Sequence, residues 1–475
     1  MHTQMYIGGS WFNAASGDSI PVLDPATGEM FAEVASGGVE DALDAVASAS
    51  DALPAWSAKS PRERSEILRR TFDIMMSRQT SLAELIVREN GKAMSDAIGE
   101  VRYAAEFFRW YAEEAVRALG EISRSPSGTN RVMVLLQPIG VSVLVTPWNF
   151  PAAMATRKIG PALAAGCTVV LKPASDTPLT ALAIAAIMEE AGVPPGVINV
   201  VPSSRSGKVV GAMLHDPRVR KLSFTGSTEV GRLLLAQAAD CIVSSSMELG
   251  GNAPFIVFDD ADVDAAVQGA MIAKMRNGGQ ACTAANRFLV QRGIAPKFTE
   301  RFTAAMRAVK IGNGLDDGVG LGPLINAAAC NSVQELVDEA VGAGARVITG
   351  GKRLDGRGFF YQPTVLDRVP AKAKILGQEI FGPVAPIQEF DTEAEAIELS
   401  NATEFGLVSY LYTGDLRRGL RVSEQLHAGM IGLNRGLVSD PSAPFGGVKQ
   451  SGLGREGSHD GMMEFLEKKY IAVEW

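Results

Sequence analysis

The chain has 475 residues, 46% apolar and 21% charged, with 50 glycines and 24 prolines in ordinary proportion. Area scaling for this length gives about 17,000 Å² exposed when folded against about 73,000 Å² unfolded, which excludes a disulfide-stapled miniprotein and a fibrous or disordered chain. The 45 basic and 53 acidic residues leave a net charge of −8, so no basic face for nucleic acid or anionic lipid is expected, and an ordinary globular enzyme of two or roughly three domains is.

In chain order, the first 120 residues read as mostly helical and charged, with helices predicted at 61–77, 80–90 and 97–119. Residues 131–137 alternate and read as an edge strand. The apolar run 141–146 (VSVLVT) is a buried strand and 168–171 (TVVL) the next. Thr177 and Pro178 offer an N-cap and a first helical residue for a helix that stops at Gly192. Strands follow at 197–201 and 219–224, then helical spacing from Ser227 to Ala239. A second set starts near Glu248, with strands at 254–258, 287–291, 347–349, 408–413 and 430–434 and a helix at 263–275. Residues 464–475 alternate again and read as a second edge strand. Strand and helix in alternation argue for parallel, doubly wound α/β sheets. The charge-free stretch 132–156 is long enough for a membrane span, but Pro138, Pro147 and Pro151 make it strand, turn and loop.

Four cysteines, Cys167, Cys241, Cys282 and Cys330, form no CxxC pair, which suits a reducing compartment. The N-terminus shows no signal peptide, so the cytoplasm is expected. The histidines His2, His215, His427 and His459 are scattered, so neither a metal site nor a Cys–His hydrolase is expected.

Cys282 follows Gly278-Gly279-Gln280-Ala281. Glycines let backbone N–H groups face a reacting centre, and donors favour a thiolate; the other three cysteines lack such a setting and read as structural. Glu248 stands between an apolar run and Gly250-Gly251, where burial would raise its pKa towards that of a usable base. Asn149, between Pro147-Trp148 and Phe150-Pro151, suits a preorganised amide donor for an oxyanion. Gly226 and Ser227 follow a strand and open a helix, a phosphate-binding context. The literal GxGxxG at 452–457 has no preceding strand and no βαβ unit, and reads as a loop.

In combination and order, PWNFP (147–151), KPAS (172–175), FTGST (224–228), ELGG (248–251), GQAC (279–282), EIFGP (379–383) and PFGG (444–447) resemble the aldehyde dehydrogenase superfamily across essentially the whole chain. Longer matches at 221–231, 248–262 and 451–458 make it most similar to succinate-semialdehyde dehydrogenases. The resemblance implies two doubly wound α/β domains and a β-strand oligomerisation arm. Cofactor binding would fall to 1–120 and 139–247, catalysis to 248–435, and the arm to 121–138 and 456–475, giving a homodimer or homotetramer.

It further implies Cys282 as nucleophile, Glu248 as the base that activates water, and Asn149 with the Cys282 backbone N–H as oxyanion donors. Trp148, Lys172, Pro173, Ala174, Ser175, Gly226, Ser227, Leu249 and Glu379 would bind the nicotinamide nucleotide. Ser175 is neutral where a glutamate would repel a 2′-phosphate, so NADP is expected to be preferred over NAD. Arg157, eight residues after Asn149, and Arg276, six before Cys282, with Ser439, would bind the distal carboxylate of a small semialdehyde. Arg435, beside that loop, leaves the length of the acid open among succinate, glutarate and 2-oxoglutarate semialdehydes. An uncharged aldehyde as substrate and a non-catalytic protein of this fold are the rival readings. Ala284 stands where some relatives have a second cysteine, so no disulfide is expected at the nucleophile.

Overall fold

The computed structural model describes residues 1–474; Trp475, the last residue of the second expected edge strand, lies outside them. The chain opens with strands β1 (Met5–Ile7), β2 (Ser10–Phe12), β3 (Ser19–Asp24) and β4 (Glu29–Ala35). These four strands were not predicted within the mostly helical first 120 residues: β1 and β2, of three residues each, carry too few alternations to register, and β3 carries Pro21, which argues against a strand. Helices α1 (Val39–Ser57), α2 (Pro61–Ser77), α3 (Gln79–Asn90) and α4 (Met94–Glu114) follow. The Ser60 hydroxyl accepts from the Glu63 N–H and the Glu63 carboxylate from the Ser60 N–H, which starts α2 with Pro61 as its first residue. Helix α4 begins and ends earlier than 97–119, closing in a 3₁₀ turn over Ala115–Arg117.

After β5 (Glu121–Arg124) and β6 (Arg131–Pro138) comes a regular alternation. It runs β7 (Val141–Val145), α5 (Pro151–Ala165), β8 (Thr168–Lys172), α6 (Leu179–Glu190), β9 (Ile198–Val200), α7 (Ser206–Leu214), β10 (Val219–Thr225), α8 (Thr228–Asp240) and β11 (Ser244–Glu248). Thr177 does not cap α6. The Glu89 carboxylate accepts from the Leu179 and Thr180 N–H groups instead, and the Thr177 hydroxyl donates to the Trp148 carbonyl.

The second set comprises β12 (Ala253–Val257), α9 (Val263–Met275), β13 (Ala285–Gln291), α10 (Ala295–Arg307), α11 (Ala327–Gly342) and β14 (Arg346–Thr349). It continues through β15 (Thr364–Asp367), β16 (Val384–Phe390), α12 (Glu393–Asn401), β17 (Val408–Tyr412), α13 (Leu416–Gln425) and β18 (Met430–Leu433). The chain closes with β19 (Gly452–Leu453), α14 (Ser458–Met463) and β20 (Leu466–Val473).

These strands build an eight-stranded sheet, β19-β11-β10-β7-β8-β9-β1-β2, and a seven-stranded sheet, β14-β15-β16-β13-β12-β17-β18. The centres are parallel, and antiparallel pairings are confined to the flanks, at β19, β1, β2 and β14. A third sheet, β20-β6-β5, is antiparallel, so β6 is its central strand and not an edge, with Leu466 opposite Pro138 and Val473 opposite Arg131. The folded chain exposes 18619 Å², slightly above the about 17,000 Å² that scaling suggests, and β5 and β20 lie largely open to solvent. Among the described residues no helix is long and apolar enough to cross a membrane.

Each large sheet has its own apolar core. In the second, Phe255 is fully buried and its ring packs against Phe288 at 5.4 Å and Tyr412 at 5.1 Å. Phe255→Ala would open a cavity between rings that cannot collapse into it, at a cost of about 3–5 kcal/mol. Urea titration by fluorescence should show that loss; a change below about 1 kcal/mol would mean that this cluster does not support the sheet.

Candidate active site

The site lies where loops that leave the carboxyl ends of β7, β10 and β11 in the first large sheet meet loops that enter the amino ends of β12, β13 and β16 in the second. Past Met275 the backbone turns sharply, with left-handed φ at Asn277 (+52°), Gly278 (+61°) and Gly279 (+78°). A Cβ on Gly279 would stand 2.2 Å from the Gly382 carbonyl oxygen, so only glycine fits. This turn delivers Cys282 to a cavity of about 240 Å³ bounded by Trp148, Asn149, Gly226, Ser227, Leu249, Cys282 and Glu379. Seven of the residues singled out from the sequence thus share one space. All four cysteines are free; Cys167 and Cys330 are buried and Cys241 is exposed.

Glu248 ends β11, and its backbone carbonyl accepts from the Gly226 N–H at 3.0 Å. Both of its carboxylate oxygens are buried without a hydrogen-bond partner among the described residues. The enclosure is tight, since a Cβ on Gly446 would sit 2.8 Å from Glu248 Oε1. Burial raises the Glu248 pKa well above the ordinary carboxylate value, with Glu456 adding to the rise and Arg157, Lys158 and Arg455 opposing it. The next residues are tied down by Ser451, whose carbonyl accepts from the Leu249 N–H and whose hydroxyl donates to the Gly250 carbonyl at 2.7 Å. Ser451 opens the 451–458 match; β19 and the loop after it pair with β11 and form no nucleotide-binding turn.

Burial pushes the Cys282 thiol up to about 12; Arg157 and Arg276 pull it down, while Glu248 and Glu379 add to the rise. Asn149 donates from Nδ2 to the Gln280 carbonyl at 3.1 Å, which leaves the second amide hydrogen available.

A second cavity, of about 450 Å³, is lined by Asp96, Gly99, Tyr103, Met275, Arg276 and Ser439. Arg276 donates to the Ser439 hydroxyl at 3.2 Å, and its guanidinium lies 4.6 Å from the centre of the Phe150 ring. Arg157 is not part of this wall. It is buried, ion-paired with Glu456 and stacked 4.4 Å from the Phe445 ring centre. Lys158 bonds the same carboxylate and the Ser223 hydroxyl at 3.0 Å. Arg435 turns to its own loop, donating to the Leu437 carbonyl at 2.6 Å.

On the nucleotide side, Lys172 ends β8 and is buried; loss of hydration pushes its pKa down to about 8, partly offset by Asp176. Pro173 beside it is buried, and Ala174 and Ser175 are half-buried. Ser227 caps the thirteen-residue helix α8, accepting from the Val230 N–H at 3.3 Å. The Thr225 hydroxyl, on the cavity wall, is buried without a partner among the described residues. Burial pushes Glu379 up to about 8, and it accepts from the Gly251 N–H at 3.3 Å. A helix N-terminus, an orphaned hydroxyl and a buried ammonium around an apolar slot fit a dinucleotide with its phosphates.

The first cavity thus carries a thiol beside a helix N-terminus, and the second a guanidinium beside a hydroxyl. The aldehyde dehydrogenase family profile matches residues 11–471, and the chain belongs to that family, as an NAD(P)-dependent oxidoreductase. A succinate-semialdehyde dehydrogenase of Paenarthrobacter nicotinovorans is 54% identical over 94% of this chain and 99% of its own. A glutarate-semialdehyde dehydrogenase of Pseudomonas aeruginosa is 52% identical over 99% of this chain and 97% of its own. The crystal structure of an E. coli NADP-dependent enzyme superposes with a TM-score of 0.98 at 50% identity, covering 100% of this chain and 98% of that one.

The enclosed thiol has a measurable signature. Because only the thiolate alkylates, the rate of Cys282 modification by iodoacetamide in nucleotide-free protein should keep rising beyond pH 9. A plateau below pH 8, followed by peptide mass spectrometry, would mean that the thiol is already ionised at rest.

Proposed function

We propose that this enzyme oxidises a small semialdehyde with a distal carboxylate, succinate semialdehyde first, to the dicarboxylate. NADP is the preferred acceptor and NAD the second choice. The observation that carries the substrate reading is the Arg276–Ser439 pair on the wall of the second cavity, since a guanidinium and a hydroxyl side by side match a carboxylate. The relatives named above favour the same class and add glutarate semialdehyde as the second reading.

In the proposed mechanism Cys282 Sγ gives its proton to water and, as the thiolate, attacks the aldehyde carbon. The second Asn149 amide hydrogen and the Cys282 backbone N–H hold the resulting oxyanion. The bound nicotinamide supplies the hydride acceptor. The thioester left on Cys282 is attacked by a water whose proton Glu248 takes, and the thiolate leaves. Trp148 and Leu249 would wall the nucleotide slot, Gly226 and Ser227 would meet its pyrophosphate, and Glu379 a ribose. Lys172 and Ser175, with Pro173 and Ala174 shaping the loop, would meet the 2′-phosphate.

We assign residues 1–120 and 139–247 to cofactor binding, 248–435 to catalysis, and 121–138 with 456–475 to an arm that joins a second copy in a cytoplasmic homo-oligomer. The exposed Ile122 and Tyr470 on that arm, with Leu119 just before it, support a covered surface in the assembly.

The test of the substrate reading is an aldehyde screen on Arg276→Ala, chosen because Arg157→Ala would strand the buried Glu456. Succinate semialdehyde kcat/KM should fall about 100-fold, the cost of an ordinary charged contact, while hexanal falls less than about threefold. Equal losses would reject the carboxylate clamp.

Lys172 gives a separate handle on the cofactor. A 2′-phosphate is already close to dianionic at pH 7, so over pH 7–9.5 the lysine is the titrating partner. It is charged below about 8 and neutral above, and its grip on the phosphate is lost as pH rises. The ratio of KM for NADP to KM for NAD should climb through that range and stay flat in Lys172→Met. A ratio that is flat in the parent enzyme would remove Lys172 from the phosphate site.

A further inference from the structure

The segment Glu89-Asn90-Gly91-Lys92, where α3 ends, has no role in the mechanism above, yet two of its four residues, Asn90 and Lys92, reach the loop around Asn149. Gly91 has a left-handed φ of +89°, and a Cβ there would meet Pro323 at 2.7 Å, so the chain can reverse only with glycine. The reversal turns Lys92 inward. Asn90 Nδ2 donates to the Trp148 carbonyl at 3.0 Å, and Lys92 Nζ to the Asn149 carbonyl at 2.7 Å. Asn277 Nδ2, from the cysteine turn, donates to the same Asn149 carbonyl at 2.8 Å. Lys92 also pairs with Glu100, and both side chains are fully shielded from solvent. The other Glu100 oxygen accepts from the Ala152 N–H at 2.8 Å and the Ala153 N–H at 3.3 Å, in the first turn of α5.

The loop needs these partners. Pro147 and Pro151 cannot donate, and no side chain of the α5 N-cap residue, Phe150, satisfies the helix start. The amides of Ala152 and Ala153 are therefore held from outside by Glu100, and the carbonyl of Asn149 by Lys92 together with Asn277. A buried ion pair is a poor source of stability compared with apolar packing. What it supplies here is a donor and an acceptor on either side of one residue. An amide that must meet an oxyanion has a tolerance of about 0.5 Å.

We propose that Lys92, held by Glu100, is a positioning residue for the Asn149 amide: the ammonium fixes the Asn149 carbonyl while the carboxylate fixes the helix turn that follows. This rests on the reading of Asn149 as an oxyanion donor.

The test is the double variant Lys92→Met/Glu100→Gln, which removes both charges and leaves neither stranded; the glutamine oxygen still accepts from Ala152. Four readouts separate positioning from bulk structure. Semialdehyde oxidation and nucleotide-free hydrolysis of p-nitrophenyl acetate both pass through an oxyanion at the thiol. Iodoacetamide alkylation of Cys282 displaces iodide at a saturated carbon and does not. NADP binding reports the rest of the loop. We expect the kcat of both oxyanion reactions to fall about 10–100-fold, with alkylation rate, NADP Kd and aldehyde KM each within about threefold. Unchanged kcat overturns the proposal, and so does a loss in which alkylation and NADP binding fall by the same factor.

Should the double variant not fold, the isosteric Glu100→Gln alone should show a smaller loss with the same split, and unchanged kcat there overturns the proposal equally. Asn149→Ala separates the two layers. If it keeps full turnover, the oxyanion reading fails and takes this proposal with it. If it loses turnover while the Lys92 variant does not, only this proposal fails. In the Asn149→Ala background the Lys92/Glu100 change should cost nothing further, and a full additional loss would overturn positioning through Asn149.

Discussion

One buried carboxylate, Glu456, is shared by two buried cations, Arg157 and Lys158. Arg157 and Lys158 lie on α5, in the first sheet's layer; Glu456 lies 298 residues further along the chain from Lys158, between β19 and α14. A buried pair of charges gains little over apolar packing, but the loss of one partner leaves the others without hydration and costs several kcal/mol. Glu456 therefore locks the C-terminal segment onto α5. The same segment carries Ser451, which holds the loop after Glu248, and Gly446, whose bare Cα leaves room for the Glu248 carboxyl. Closure of the site thus waits for the end of the chain.

The electrostatic consequence reaches the thiol. Enclosure raises both Cys282 and Glu248, so neither is favoured in its charged form in the nucleotide-free protein. Arg157 and Lys158 place positive charge beside the one carboxylate of Glu456. That charge pulls on Cys282 from Arg157 and on Glu248 from both cations. In the proposed mechanism the negative charge that forms on sulfur or on Glu248 is one that Arg157 favours against the cost of burial. The site opposes charge at rest through burial and favours it through Arg157 when a reaction creates it.

Much of this was legible in the sequence because it is local. Cys282 stands beside a Gly-Gly pair, Glu248 before one, and Asn149 between prolines, and each spacing states a backbone requirement within a few residues. The parallel strands were legible as apolar runs. The first two strands were not, being too short to show a period, and β6 looked like an edge because it has no helix beside it in sequence and its partner β20 lies at the far end of the chain. Lys92, Glu100 and Glu456 carry no local signal. A lone lysine or glutamate in a helical, charged region reads as solvated surface, and only the fold shows each of them shielded and paired across long sequence separations. Arg157 was legible as an unusual cation, but its partner was not, so its burial behind the cavity wall was not either.

Phe150 connects the loop of Asn149 to Arg276. Its ring lies 4.0 Å from Lys92 Nζ and 4.6 Å from the Arg276 guanidinium, and it follows Asn149 directly in the chain. A planar ring between two cations, flanked by Asn149 and Pro151, has little freedom to move along the cavity. The carboxylate partner at Arg276 and the amide at Asn149 are consequently set at a separation that one rigid side chain governs. Acceptance of a longer acid then has to come from the Ser439 side, where the loop carries Asp440, Pro441 and the self-bonded Arg435. Under the proposed function, discrimination between four- and five-carbon semialdehydes would belong to that loop, and the chemistry at Cys282 to the half that carries Asn149 and Phe150.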